Sequence, residues 1–187
     1  MSTKSLVILD RDGVINQDSD NFIKSEQEFI PISGSLEAIA RLNRAGYRVV
    51  IATNQSGLAR GYFDLATLEA IHEKLRQLLS AVDGQIEGIF YCPHGPAERC
   101  DCRKPLPGLL HQIAEQYVVN LEGVPVIGDS LRDLQSALSV GASPILVRTG
   151  KGERTLEELR KSSSDINVNE LPVYRDLAAA VDALIAG

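Results

Sequence analysis

The sequence predicts an α/β fold, a Rossmann-like doubly wound parallel sheet, and two observations carry that prediction. Short unbroken apolar runs alternate along the chain with segments whose apolar residues recur at helical spacing. The runs do not alternate apolar with polar, which is how strands read when both faces of a parallel sheet are covered by helices. In addition, each of the first four runs ends abruptly in polar residues, and ligands of an open α/β sheet bind beyond the carboxyl ends of its strands.

The elements follow in order. Leu6 to Leu9 reads as a strand, Leu36, Ile39, Ala40 and Leu42 mark a helix, and Val49 to Ala52 is the second strand. A long stripe through Leu65, Leu68, Ile71, Leu75, Leu78, Leu79 and Val82 predicts the next helix, and Ile86 to Tyr91 the third strand. Beyond a cysteine-rich loop come a helix over Leu109 to Val118, a strand over Val124 to Ile127, a helix over Leu131 to Val140 and a fifth strand over Pro144 to Val147. Gly46 and Gly141 stand where helix C-terminal glycines are expected. Helices are also expected over Thr155 to Lys161 and Asp176 to Ile185, separated by an exposed polar loop from Ser162 to Glu170. No repeat or linker divides the chain, so residues 1–187 are read as one domain.

Bulk properties narrow the function. Apolar residues make up 44% and charged residues 24%, the balance of an ordinary globule, and the net charge of -6 opposes a nucleic-acid partner because phosphate-backbone affinity comes from clustered Lys and Arg. The opening MSTKSLVILD is too short and too soon interrupted for a signal peptide, and no run of 18 apolar residues suggests a membrane span. A cytoplasmic protein without membrane contact is expected. Its three cysteines lie within eleven positions, an unpromising arrangement for a disulfide framework.

The strand ends carry the chemistry. The first delivers Asp10 and Asp12, the second Thr53, Asn54, Gln55 and Ser56, the third Arg103 and Lys104 by way of the cysteine loop, and the fourth Asp129 with Asp133 one turn later. This set fits phosphoryl transfer through an aspartyl-phosphate. Asp10 and Asp12 diverge in extended backbone, so one can attack phosphorus while the other handles the leaving oxygen. A carboxylate attacking a phosphate dianion needs a hard cation, and Mg²⁺ suits Asp10 and Asp129. Lys104 and the Thr53 hydroxyl would complete the cradle. Phosphate-monoester hydrolysis can require about 10²¹-fold acceleration, whereas one general acid or base supplies about 10²- to 10⁴-fold. Several groups must therefore act together.

"ILDRDGVIN", "IATNQSG", "CRKP" and "VIGDSLRD" resemble the four ordered motifs of the haloacid dehalogenase-like phosphatases. Within that family the chain is similar, up to about Gly152, to the branch acting on the 7-phosphate of heptose 1,7-bisphosphates in lipopolysaccharide-core precursor synthesis, with histidinol-phosphate phosphatase as the alternative. The resemblance implies Asp10 as nucleophile and Asp12 as acid and then base, with its backbone carbonyl on Mg²⁺ beside Asp10 and Asp129. It also implies that Thr53 and Lys104 stabilise the phosphoryl group. Asp18, Ser19, Asp20, Asn21, Asn54, Gln55, Ser56 and Arg103 would touch substrate, and Asp133 would order Lys104 or a metal-bound water.

Cys92, His94, Cys100 and Cys102 form a Cys₃His set with tight spacing, which suits a tetrahedral structural Zn²⁺. Such a zinc loop, residues 92–102, would staple a stretch too poor in apolar residues to fold itself and so fix Arg103 and Lys104. The resemblance points the same way, since this branch carries a Cys-x-His and Cys-x-Cys zinc loop. The segments between motifs are filled by the predicted elements, which leaves no room for a cap domain and predicts an open site for a small phosphorylated metabolite; the resemblance implies that it is a sugar, and a capless enzyme of this size can work as a monomer.

The remaining polar residues have plainer readings. His72, His111, Arg41, Arg44 and Arg48 are expected on solvated surfaces. Arg60, Arg103 and Lys151 could meet a second phosphate, although Lys151 equally fits a mobile loop. A non-catalytic zinc-binding module would need a basic or aromatic surface near the cysteines, and aromatics total only 5%.

Overall fold

The computed structural model describes residues 5–161 and 166–187. Six parallel strands run β1 (Leu6–Leu9), β2 (Arg48–Asn54), β3 (Gly88–Cys92), β4 (Pro125–Gly128), β5 (Ser143–Val147) and β6 (Val173–Tyr174). Their spatial order is β3-β2-β1-β4-β5-β6. The chain thus winds outward from β1 in one direction and, beginning with β4, in the other. β1 and β4 pair through Ile8 with Val126 and Leu9 with Ile127, and the crevice beyond their carboxyl ends is the topological switch point.

Side chains of β1 alternate between the two covered faces. Val7 and Leu9 join Ile39 and Leu42 of α1 (Ser35–Arg44), Ile71, Leu75 and Leu79 of α2 (Leu65–Ser80), and Val181 of α6 (Leu177–Ala186). Leu6 and Ile8 face Leu109 and Ile113 of α3 (Gly108–Tyr117) and Ala137 of α4 (Leu131–Ser139). α5 (Gly152–Lys161) closes a smaller cluster in which Leu156 and Leu159 meet Leu134 and Leu146.

The expected boundaries shift in a few places. Ser80 ends α2, so Val82 lies outside it, and β3 begins at Gly88 rather than Ile86, which only packs against the core. Gly46 and Gly141 follow α1 and α4 with φ of 89° and 72°. The sixth strand, β6, was not expected; two residues, Val173 and Tyr174, are too short to display any period. Of the predicted loop from Ser162 to Glu170, residues 162–165 lie outside the described residues. No helix among the described residues is long and apolar enough to cross a membrane.

Three surface assignments are corrected. His72 is buried, 1% exposed, because it sits four residues beyond Leu68 and beside Ile71 on the inward stripe of α2. Arg41 and Arg48 are tied down: Arg41 donates to Asp182 at 3.0 Å, and Arg48 donates to Glu87 at 2.8 Å and lies 4.7 Å over the Tyr117 ring. Arg44 and His111 are exposed.

Candidate active site and zinc loop

The strand ends converge on a cavity of about 290 Å³. Asp10 follows β1, and its backbone N–H donates to Ile127 O at 2.9 Å, which sets it beside the end of β4 and Asp129. Asp129 lies wedged between two backbones: a Cβ on Gly13 or on Gly150, both at positive φ, would run into its carboxylate. The Lys151 N–H donates to Asp129 Oδ2 at 2.8 Å, and the Thr155 hydroxyl donates to the Asp129 carbonyl.

Lys104 is the hub. Its ammonium donates to Asp10 Oδ1 at 2.9 Å, Asp133 Oδ1 at 2.6 Å and Ala52 O at 2.8 Å, so all three of its protons are engaged. Burial works against its charge, but Asp10 and Asp133 overcome that and raise its pKa further above the ordinary lysine value. Asp133 also accepts from the Ser130 hydroxyl and N–H at the start of α4, and although burial opposes its ionisation, Lys104 keeps its pKa low. The Asn54 side chain clamps the Lys104 backbone from both sides, donating to its carbonyl and accepting from its N–H.

Asp10, Asp129 and Asp133 each place a carboxylate oxygen within 4.8 Å of the others. Burial, followed by the neighbouring carboxylates, pushes Asp129 up to about 8. Burial also pushes Asp10 up to about 7, with Lys104 opposing and Asp133 and Asp12 adding to the rise. These carboxylates hold more negative charge than one lysine balances, and Lys104 and the Lys151 amide engage only one oxygen each of Asp10 and Asp129. Hard oxygen donors short of positive charge fit Mg²⁺.

Asp12 points elsewhere. Arg11 Nη2 meets Asp12 Oδ1 at 2.9 Å, Asn16 Nδ2 donates to the same oxygen at 2.8 Å, and Gln55 Nε2 donates to Oδ2 at 2.9 Å. Burial opposes ionisation of Asp12, but the Arg11 guanidinium, with Asn16 and Gln55, holds its pKa below the ordinary value. Gln55 Nε2 also donates to the Thr53 hydroxyl oxygen at 3.0 Å, leaving the hydroxyl proton for a ligand.

Of the residues expected at the site, Asp10, Asp12, Asp18, Ser19, Asp20, Thr53, Asn54, Gln55, Ser56, Arg103, Lys104 and Asp129 line the cavity. Asn21 does not; it is exposed, with its backbone N–H on the Ser19 hydroxyl. Arg60 and Lys151 also line the cavity, Lys151 paired to Asp18 at 3.0 Å. Sequence reasoning missed Phe22, whose ring lies 5.1 Å from Tyr62 and beneath the Arg60 guanidinium, and Arg132. Arg132 is three residues past Asp129, within reach of the same strand-end rule. Burial, and then repulsion from Arg132, lowers the Arg103 pKa, the sign of cations gathered without enough counter-charge.

Cys92 at the end of β3 and His94, Cys100 and Cys102 of the loop after it close into one cluster whose donor atoms lie within 4.8 Å of one another. A tetrahedral Zn²⁺ sets sulfur–sulfur edges of about 3.8 Å and sulfur–nitrogen edges of about 3.5 Å. Cys92 Sγ stands 3.8 Å from Cys100 Sγ and 3.6 Å from His94 Nδ1, and Cys102 Sγ 3.4 Å from that nitrogen. Cys92 and Cys102, 3.0 Å apart, are closer than that edge but too far apart for a disulfide bond. Burial pushes both of these thiols up, so they hold their protons until a cation displaces them. The donor set fits zinc. Arg103 Nη1 donates to the His94 carbonyl at 3.3 Å, tying the loop to the cavity wall.

Comparison with known proteins places this geometry. Residues 5–131 match the polynucleotide kinase 3 phosphatase family model, and residues 101–180 match the HAD-hydrolase-like model. A D-glycero-β-D-manno-heptose-1,7-bisphosphate 7-phosphatase of Pseudomonas putida is 62% identical over 180 residues, covering 96% of this chain and 99% of the relative. The crystal structure of the D,D-heptose 1,7-bisphosphate phosphatase from B. bronchiseptica, complexed with magnesium and phosphate, is 53% identical and superimposes with a TM-score of 0.92, covering 97% of this chain and 98% of that one. The corresponding enzyme from Burkholderia thailandensis is 42% identical, with a TM-score of 0.75 over 98% of this chain and all of the other. Likeness of this extent in both sequence and fold makes the chain a member of the haloacid dehalogenase-like phosphatases, in the family of the heptose-1,7-bisphosphate 7-phosphatases.

Proposed function

We propose that this protein removes the 7-phosphate of D-glycero-D-manno-heptose 1,7-bisphosphate, with an aspartyl-phosphate intermediate on Asp10. The observation that carries the reading is the convergence of Asp10, Asp12, Thr53, Lys104 and Asp129 on one cavity at the switch point of the sheet. Asp10, Asp129 and the Asp12 backbone carbonyl would hold Mg²⁺, which when bound supplies the positive charge that lets a carboxylate approach a phosphate. Lys104 holds Asp10 in place for attack on phosphorus and offers its charge to the phosphoryl oxygens, and the Thr53 hydroxyl donates to one of them.

Asp12 serves both halves of the reaction. The charge of a docked phosphate favours a proton on its carboxyl, which passes to the departing sugar oxygen. Once the sugar has left, Arg11, Asn16 and Gln55 favour the carboxylate, which takes a proton from the water attacking the aspartyl-phosphate. Cys92, His94, Cys100 and Cys102 would hold Zn²⁺ with no position left for water, a structural role that steadies Arg103 and Lys104.

A bisphosphate suits the cavity because Arg60, Arg103, Arg132 and Lys151 line it in addition to Lys104. Asp18, Ser19, Asp20, Asn54, Gln55 and Ser56 would frame the sugar. A polynucleotide is a poor substrate for a chain of net charge -6, despite the match to a polynucleotide phosphatase model. The protein acts as a cytoplasmic monomer of one domain, free of membrane, on a small diffusible sugar. The test is phosphate release from heptose 1,7-bisphosphate and from histidinol phosphate with Mg²⁺, the leaving phosphate being assigned by ³¹P NMR. Preference for histidinol phosphate, or loss of the 1-phosphate, sinks the reading.

A further inference from the structure

Arg11 is fully buried and does not line the cavity, and a guanidinium out of reach of water needs an acceptor on each side. Its Nε and Nη2 grip Asp12, Nε reaching Oδ1 at 3.1 Å and Nη2 reaching Oδ1 at 2.9 Å and Oδ2 at 3.1 Å. Nη2 also meets Gln55 Oε1 at 3.3 Å. The remaining end, Nη1, stands 3.2 Å from His72 Nε2. Arginine carries only donors, so that ring nitrogen is the acceptor and His72 is a neutral imidazole with its proton on Nδ1. Burial, and then the Arg11 charge, push His72 down to about 3, which keeps it in that form.

We propose that His72 is a positioning residue for the phosphatase reaction: by anchoring Arg11 from α2, it fixes the direction in which the Asp12 carboxylate faces the leaving oxygen. The inference rests on Asp12 acting as the acid. Without an acceptor at position 72, Nη1 must turn to find another, and the two-atom grip on Asp12 turns the carboxylate with it. Gln55 is moved as well, since it bonds Arg11, Asp12 and Thr53 together. His72 itself does not line the cavity.

Leaving groups distinguish positioning from general support. A sugar alkoxide must be protonated as it departs, whereas p-nitrophenolate leaves with little help. In Mg²⁺-loaded, zinc-replete protein, His72→Leu is expected to lower kcat on the heptose bisphosphate by about 10- to 100-fold, with KM within about threefold. The loss on p-nitrophenyl phosphate should be at least about fivefold smaller, because acid assistance contributes less there. His72→Gln, whose amide oxygen reaches about as far as Nε2, should recover most of the activity. Equal losses on both substrates, or a Gln variant as impaired as the Leu variant, would overturn the inference. Asp12→Asn serves as the control. If it shows the leaving-group dependence and His72→Leu does not, the inference alone fails; if Asp12→Asn lacks it, the acid role fails and takes the inference with it. Should His72→Leu not fold, His72→Asn, too short to reach Arg11, takes its place in the same comparison.

Discussion

The carboxylates at the ends of β1 and β4 are delivered by strands, while of the thiols and imidazole of residues 92–102 Cys92 ends β3 and the other three are delivered by the loop after it. Asp10 follows a fully buried strand, is bonded by its amide to Ile127 and is held by Lys104, so its place is set by the sheet. From Pro93 to Asp101 there is no Leu, Ile, Val, Phe or Met, and burial in that loop centres on Cys92, Gly95 and Cys102. The two clusters should therefore respond in opposite ways when their metals are taken away. The first should keep its shape and lose its chemistry, and the second should lose its shape and weaken the chemistry through Arg103 and Lys104.

The sharpest break in that comparison is Asp10→Asn. It should lower kcat by roughly 10⁴-fold or more, as loss of a nucleophile does, while thermal stability holds or rises because a buried, poorly balanced charge has been removed. A large fall in melting temperature would show that the carboxylate cluster is structural after all. Stripping zinc, or Cys102→Ser, should do the reverse, lowering the melting temperature by about 10 °C and kcat by roughly tenfold, since structural zinc contributes folding free energy directly. Unchanged melting in zinc-free protein would contradict the stapled loop.

Arg103→Ala probes the link between the two regions, because Arg103 lines the cavity and bonds the His94 carbonyl. KM for a bisphosphate should rise about tenfold, with a smaller rise for a monophosphate and little change in kcat. Equal effects on both substrates would remove Arg103 from the second phosphate. The smallest effect is in pH. Asp10 at about 7 and Asp129 at about 8 lie above their ordinary values, so the metal-free folded protein binds more protons than the unfolded chain in the window from about pH 4 to pH 8. Its stability from these groups falls as pH rises through that window. Mg²⁺ competes with those protons, and the rise in melting temperature that it gives should grow by a few degrees between pH 6 and pH 9. A shrinking rise would reverse the sign.

Much of this was legible in the sequence because strands buried on both faces read as unbroken apolar runs and their ends as the first polar residues. Asp10, Thr53, Lys104 and Asp129 could be found that way. What escaped depends on three-dimensional partners. His72 looks charged and solvated among Glu69, Glu73 and Arg76, yet its spacing from Leu68 and Ile71 placed it on the inward stripe of α2, where Arg11 requires it. Asn54 and Gln55 were expected only to touch substrate, but their side chains also fasten Lys104 and Asp12, which no spacing rule reveals. β6 was hidden by its brevity.

The central claim is that Asp10 carries the phosphoryl group between sugar and water. Acid-quenching the Asp12→Asn variant during turnover of p-nitrophenyl phosphate with Mg²⁺, a substrate whose leaving group departs without the acid while hydrolysis of the intermediate still lacks its base, followed by peptide mass spectrometry, reads this directly. Phosphate attached covalently to Asp10 is the expected result. Steady product release from that variant with no phosphate on Asp10, or phosphate on another residue, would contradict the account.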